Sequence, residues 1–228
     1  MIVLIPSYEP DHRLVRLLTE LRQELPQAEV LVVDDGSGPR YRPVVAEAAA
    51  AGATVITHDR NRGKGAALKT GLRWVTEHAP GSDVVCADSD GQHRPYDVAR
   101  VAAAVRPGTM VLGGRRFTGR VPLRSRFGNT VTRYLFRLVT GTDVYDTQTG
   151  LRGYPYPLLE WLLRVPGERF EYELSALLAA RGAGVEVVEV EIETVYEARH
   201  SSHFRTVSDS WRVYAPMLAF AGHRLQGR

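Results

Sequence analysis

With 228 residues, 44% of them hydrophobic, the chain is long enough for one well-filled α/β core. Its formal charge of +3 is modest, and neither a recognition motif nor interleaved aromatics accompany the basic residues, which excludes nucleic acid as the expected partner. The one cysteine, Cys86, lies in the apolar run Val84-Val85-Cys86-Ala87, so an internal disulfide is excluded and a buried, inert thiol suited to a reducing cytoplasm is expected. Neither a signal peptide nor a membrane span is expected. The longest stretches free of charge and His, Ala48 to Thr57 and Val213 to Gly222, fall well short of the roughly 18 to 20 residues that a bilayer requires.

Along the chain, apolar β-rich runs at Ile2 to Ile5, Val30 to Val33, Thr54 to Thr57, Asp83 to Ala87 and Met110 to Leu112 alternate with helix-like stretches at 11–25, 43–51, 64–78 and 95–105. This repeated strand-then-helix order predicts an α/β fold with a mostly parallel central sheet flanked by helices. Pro95 suits a first helical position, and Gly52, after Ala48 to Ala51, suits a helix stop. After Gly114 the rhythm breaks. Arg115, Arg116, Arg120, Arg124 and Arg126 fall in a segment with no acidic residue, a composition suited to gripping an anion through guanidinium forks. A helix follows over 129–139; extended back to Arg126, it aligns Arg126, Arg133 and Arg137 on one face, beside an apolar stripe of Val131, Leu135 and Leu138. A strand near 148–153, a helix over 171–181 and a strand from Val185 to Ile192 are expected to complete the sheet. The last segment, 207–225, puts Val207, Trp211, Tyr214, Leu218, Ala221 and Leu225 on one helical face, packed on the domain or lying in a membrane interface. The expected organisation is one domain over 1–206 and an amphipathic helix over 207–228.

Two acidic clusters, Val33-Asp34-Asp35-Gly36-Ser37 and Ala87-Asp88-Ser89-Asp90-Gly91-Gln92-His93, sit directly behind apolar runs. Carboxylates at the C-terminal ends of parallel strands open onto the ligand crevice, and Asp-x-Asp spacing lets two side chains approach one hard cation. The pattern predicts a site for a nucleotide diphosphate and a metal, although Asp-Gly-Ser is also ordinary turn chemistry. Gly63-Lys64-Gly65 opens a helix, where glycines allow close backbone approach and the helix start favours anions. It lacks the spacing and terminal Ser/Thr of a Walker loop, which leaves Lys64 as a candidate contact to a donor. His93 has no Cys or His partner at zinc spacing.

The motifs Ile5-Pro6-Ser7-Tyr8, Val32 to Ser37, Asn61-Arg62-Gly63-Lys64-Gly65-Ala66-Ala67 and Asp88 to His93 continue with Asp146-Thr147-Gln148-Thr149-Gly150-Leu151-Arg152-Gly153, Arg169-Phe170-Glu171-Tyr172-Glu173, and Thr194-Val195-Tyr196 with Ser201-Ser202-His203-Phe204. In this order, over about residues 2 to 214, the chain resembles family 2 glycosyltransferases of the GT-A fold, in the polyprenyl- or dolichyl-phosphate hexosyltransferase branch. The resemblance implies transfer of a hexose from UDP-glucose or GDP-mannose to a polyprenyl phosphate, with Mg²⁺ or Mn²⁺, by a peripheral protein on the cytoplasmic membrane face, with or without a small membrane-protein partner. It assigns Pro6, Tyr8, Asp34, Asp35, Lys64, Ser89 and His203 to the donor, Asp88 to the ribose or the metal, Asp90 and Gln92 to the metal, and Arg115, Arg116 and Arg126, with or without Arg133, to the acceptor phosphate. Glu9-Pro10 stands where the family usually has Asn-Glu, so Glu9 is a substitute for an expected carboxylate. Glu171 and Glu173 are candidate bases for an alternative in which a soluble relative uses a hydroxyl acceptor; a further alternative is a non-catalytic nucleotide-sugar-binding subunit.

Overall fold

The structure is a computed structural model and describes residues 1–115 and 123–193; the side chains of 123–129 and 131 are outside the description. The strands are β1 (Ile2–Ser7), β2 (Glu29–Asp34), β3 (Thr54–Thr57), β4 (Val84–Cys86), β5 (Thr109–Arg115), β6 (Arg152–Tyr154) and β7 (Glu186–Ile192). The helices are α1 (His12–Glu24), α2 (Arg42–Ala50), α3 (Lys64–His78), α4 (Pro95–Ala104), α5 (Leu123–Thr140), α6 (Leu159–Arg164) and α7 (Glu171–Gly182). Pro95 does open α4, and Gly52 follows α2 with φ +93°, a backbone region that L side chains enter at a cost.

The sheet order is β3-β2-β1-β4-β6-β5-β7. Pairing is parallel for β3-β2, β2-β1, β1-β4 and β5-β7, and antiparallel where β6 meets β4 and β5. The sequence rhythm does not foretell this reversed strand, because three residues carry no directional pattern. Its consequence is positional. The carboxyl ends of the parallel strands share one edge of the sheet, and β6, running the other way, enters from that edge, so the segment preceding it lies beside the ends of β4 and β5.

Alternate residues of the buried strands feed two cores, as the period of two in a strand requires. Leu4, Leu31, Val33 and Cys86 pack toward α3, α6 and α7, whereas Val3, Ile5, Val32 and Val85 pack toward α1, α2 and α4. In α1, Leu14, Leu17, Leu18 and Leu21 form the buried stripe, each contributing roughly 2 kcal/mol. Asp11 caps that helix by accepting from Arg13 N at 2.9 Å. Cys86 is free and buried, and desolvation pushes its thiol far above the ordinary value, in keeping with an inert group.

Two expectations are corrected. The core side of α5 is the line Thr132, Phe136 and Thr140; Leu135 is half-buried and Leu138 is 71% exposed, so the Leu138 end of the expected apolar stripe faces solvent. The strand near 148–153 is shorter, since residues 146–151 form a loop and pairing begins at Arg152. The short helix α6, with the single turn Tyr156–Leu158 before it, has no counterpart in the sequence reading; a six-residue helix is too brief to display a period. The expected C-terminal helix over 207–228 lies outside the described residues.

Candidate active site

At the shared strand edge, the β1 turn contributes Pro6, Ser7, Tyr8 and Glu9. Glu9 has φ +52°, the one non-glycine in the left-handed region among the described residues, and its N–H donates to Ser37 Oγ at 2.8 Å. Ser37 Oγ in turn donates to Asp34 Oδ1 and its N–H approaches the same oxygen at 3.2 Å. Asp34 is thereby tied to the neighbouring turn. A groove of about 480 Å³ on its β3 side is lined by Asp34, Gly36, Arg42, Thr57 and Asp59, among others.

Asp35 is buried and fully engaged. Its carboxylate accepts from Arg62 N at 2.9 Å, Gly63 N at 2.7 Å and His58 Nδ1 at 2.8 Å. A carboxylate only accepts, so the His58 proton on this side is on Nδ1, while Nε2 stands 2.9 Å from the Thr70 hydroxyl. Asp35 therefore shapes the loop that leads into α3. The glycines of that loop serve a close approach to the chain itself: a Cβ on Gly65 would fall 2.7 Å from Tyr172 Cβ and 2.8 Å from Glu168 C. Glu168 O also accepts from Ala66 N, in the first turn of α3.

This packing aims Lys64 into the edge. Its ammonium lies 2.7 Å from Asp88 Oδ1 and 3.0 Å from Glu173 Oε2. Burial alone would depress the lysine, but the two carboxylates outweigh it and hold it above the ordinary value; burial likewise opposes ionisation of Asp88, and Lys64 overcomes it and holds that carboxyl low. Asp88 N donates to His93 Nδ1 at 3.2 Å, and burial depresses the His93 pKa despite the pull of Asp88 and Asp90. His93 thus props the turn from beneath as a neutral acceptor. Asp90 accepts from Gln92 N at 3.0 Å and Gln92 Nε2 at 2.7 Å, so Gln92 holds Asp90 in place. Ser89 and Asp90 are half-buried, and the Asp88 side chain is 30% exposed.

The β6 approach supplies the opposite wall. Glu189 of β7 accepts from Tyr145 N and Asp146 N at 2.9 and 3.2 Å. Buried Asp146 receives Arg115 Nε at 2.5 Å and Nη2 at 3.2 Å. Gln148 Nε2 donates to Thr132 Oγ1 of α5 at 3.2 Å. Beneath the loop, wholly buried Arg152 donates to Thr149 O, Thr147 O and Glu173 O at 2.9, 3.1 and 2.6 Å, which fastens it to α7. Arg133 is likewise committed, to Asp143 at 2.8 and 2.7 Å and over the Tyr145 ring at 4.6 Å.

Of the carboxylates that open α7, Glu173 reaches Lys64, whereas Glu171 Oε1 accepts from Glu168 N and Arg169 N, both at 3.1 Å. The structure thus brings Asp88, Lys64 and Glu173 together at the edge, with Asp90 and Gln92 paired on the same turn. Arg116 and His203 lie outside the described residues, as does the Arg126 side chain, although α5 does extend back through Arg126. Arg152 and Asp146 were missed as supporting residues; their signal was a lone Arg and Asp flanking Thr-Gln-Thr-Gly, which composition alone does not separate from a surface turn.

The fold is that of a nucleotide-sugar transferase of the GT-A class. It superposes on glucosyl-3-phosphoglycerate synthase from Mycobacterium tuberculosis, solved in complex with Mn²⁺, UDP and glucosyl-3-phosphoglycerate, with a TM-score of 0.75 at 19% identity, covering 97% of this chain and 79% of that one. The model of Glycosyl transferase family 2 matches residues 2–160, and the chain belongs to that family. It is 26% identical to the UDP-N-acetylglucosamine–dolichyl-phosphate N-acetylglucosaminyltransferase of Methanococcus voltae, over 95% of this chain and 94% of that protein. Similarity to the polyprenol monophosphomannose synthase of Mycolicibacterium smegmatis is 29% over 84% of this chain and 76% of that protein. The undecaprenyl-phosphate mannosyltransferase of Micrococcus luteus is 28% identical over 86% and 83%. These relatives form the polyprenyl-phosphate branch, and the chain is a glycosyltransferase of that branch.

Proposed function

We propose that the protein is an inverting, metal-dependent hexosyltransferase that moves a hexose from a UDP- or GDP-sugar to a polyprenyl phosphate, bound peripherally at the cytoplasmic membrane face. The observation that carries this reading is the Asp88-Ser89-Asp90 turn, half-open at the strand edge and backed by Lys64, in a chain whose relatives along most of its length act on polyprenyl or dolichyl phosphates. The donor sets fit a hard cation: Asp88 and Asp90 offer carboxylate oxygens. Among the described residues no three His, Cys, Asp or Glu side chains converge on one point, so phosphate oxygens and waters would have to complete the shell of a bound Mg²⁺ or Mn²⁺. When bound, the metal supplies positive charge to the departing nucleoside diphosphate.

Lys64 adds a second positive charge beside that turn, while Pro6, Tyr8, Asp34 and Ser89 border the nucleoside side. Asp35, with its oxygens engaged by the Arg62–Gly63 loop, acts by setting the position of Lys64. On the acceptor side, an oxygen of the lipid phosphate forms the bond to the anomeric carbon as the bond from that carbon to the diphosphate oxygen breaks, and the electron pair leaves with the nucleoside diphosphate. Attack opposite the leaving group inverts the configuration. A phosphate monoester is already anionic at neutral pH and needs no strong general base. Glu173 is paired with Lys64, whereas Glu171 accepts two backbone N–H groups through Oε1 and leaves its buried Oε2 without a hydrogen-bond partner among the described residues. Arg116 and Arg126 are the guanidiniums proposed to orient the phosphate, with Arg115 held by Asp146 as their anchor.

The outer face of α5 supports peripheral attachment. It carries Tyr134 and Leu138, 67% and 71% exposed, next to exposed Arg137, and the helix contains no Asp or Glu. No helix of the described residues is long and apolar enough to cross a membrane. The test is transfer from radiolabelled UDP-glucose and GDP-mannose to undecaprenyl phosphate in detergent. Organic-phase label with one donor, lost with chelator and in a folded Asp90→Ala variant, is expected. Metal-dependent nucleoside diphosphate release with a water-soluble acceptor, and no organic-phase label, would replace the lipid-phosphate reading with the hydroxyl-acceptor one.

A further inference from the structure

Gly150 is buried, and its φ is outside the left-handed region, so its backbone does not demand glycine. The nearest obstacle to a side chain there is one neighbour. A Cβ on Gly150 would fall 2.6 Å from Asp88 Cγ, 2.6 Å from Oδ1 and closer still to Oδ2, and these three atoms are its nearest surroundings. Other close-packed glycines differ in kind: at Gly71 the obstacle is the core side chain of Leu4, at Gly113 Leu151, and at Gly153 Val105. Only at Gly150, among the described residues, is the space taken by a carboxylate of the acidic turn.

The loop that carries Gly150 cannot easily retreat from a larger residue. Arg152 holds Thr147 O and Thr149 O from below, Glu189 holds Tyr145 N and Asp146 N, and Leu151 N donates to Thr149 Oγ1 at 3.2 Å. Asp88 on the other side is drawn to Lys64 at 2.7 Å and fixed through its N–H by His93. The carboxylate thus stands between a charged partner and a bare stretch of backbone.

We propose that Gly150 is a positioning residue for the metal and donor site: by lacking a side chain it sets where the Asp88 carboxylate stands. The proposal rests on Asp88 being a ligand of the metal–nucleotide, and it extends the working site to the loop before β6. That loop also holds Arg115 through Asp146 and α5 through Gln148, so donor-side and acceptor-side groups share one rigid support.

The experiment is Mn²⁺ binding in the presence of UDP, read from the free-ion electron paramagnetic resonance signal, with thermal denaturation of the same samples. The proteins are the full-length wild type, Gly150→Ala, Asp88→Gly and the double variant. Gly150→Ala is expected to weaken Mn²⁺ at least about tenfold, in the range seen when groups that orient a ligand are disturbed. In the Asp88→Gly background the same alanine should change neither Mn²⁺ affinity nor Tm, because the obstacle is gone. If Gly150→Ala alone fails to fold, recovery of the fold in the double variant carries the same meaning. Wild-type Mn²⁺ binding by Gly150→Ala, or an equal loss of Tm in both backgrounds, would overturn the proposal. Unchanged binding by Asp88→Gly would instead remove the ligand role of Asp88 on which it rests.

Discussion

The two acidic turns follow strands β2 and β4, share an Asp-rich, glycine-containing composition, and have opposite physical situations. Asp34 and Asp35 are 3% and 2% exposed; both oxygens of Asp35 are engaged by His58, Arg62 and Gly63, and Oδ1 of Asp34 accepts from Ser37. Asp88 is 30% exposed at the side chain, and its partner Lys64 is shared with Glu173; Asp90 is half-buried and held by its own turn. Asp35 spends its carboxylate on building the edge, whereas Asp88 presents its own to it. A carboxylate with three fixed donors has little left to offer a ligand, whereas one held by a single movable ammonium can exchange partners.

The largest expected effect tests the building role. Asp35→Ala strands Arg62 N, Gly63 N and His58 without their acceptor, and a loss of about 3 kcal/mol in denaturant-induced unfolding is expected. Asp88→Asn should invert that pattern: Glu173 remains to pair with Lys64, so the loss of stability is smaller than for Asp35→Ala, while transfer falls by at least about 100-fold. If Asp88→Asn proved as destabilising as Asp35→Ala, the contrast between the turns would fail.

His93 gives the comparison a pH dimension. Its folded pKa lies below the ordinary 6.5, so its contribution to stability is complete above about pH 6.5 and is lost as pH falls through the lowered folded value. The Tm of the wild type should therefore drop over that acid range, and His93→Asn, which keeps an acceptor for Asp88 N but cannot be protonated, should lose that part of the slope. The smallest effect concerns Glu9. Replacement by Gly at φ +52° should raise stability by about 0.5 to 1 kcal/mol in the same denaturant assay, relieving a left-handed L residue.

Most of the strand and helix order was legible because each element is apolar at its own period, and the helix stop at Gly52 and the helix start at Pro95 carry their own backbone chemistry. The reversal of β6 and the turn of helix at α6 were not, for they are three and six residues long. In the site, the residue types were legible and their commitments were not. Asp35 and Asp88 read alike in sequence; what separates them is His58, Arg62 and Gly63 for one and Lys64 for the other, partners more than twenty positions away along the chain. Likewise, the Lys64 loop suggested glycines for a ligand, while the packing shows them admitting Glu168 and Tyr172. Arg115 read as free to grip an anion, yet it is held by Asp146, thirty-one positions on.

The buried guanidinium of Arg152 grips three main-chain oxygens, at Thr147, Thr149 and Glu173. Every amino acid offers the same carbonyl, so this brace is indifferent to which side chains those three positions carry. A change of side chain at any of those three positions therefore leaves this brace in place.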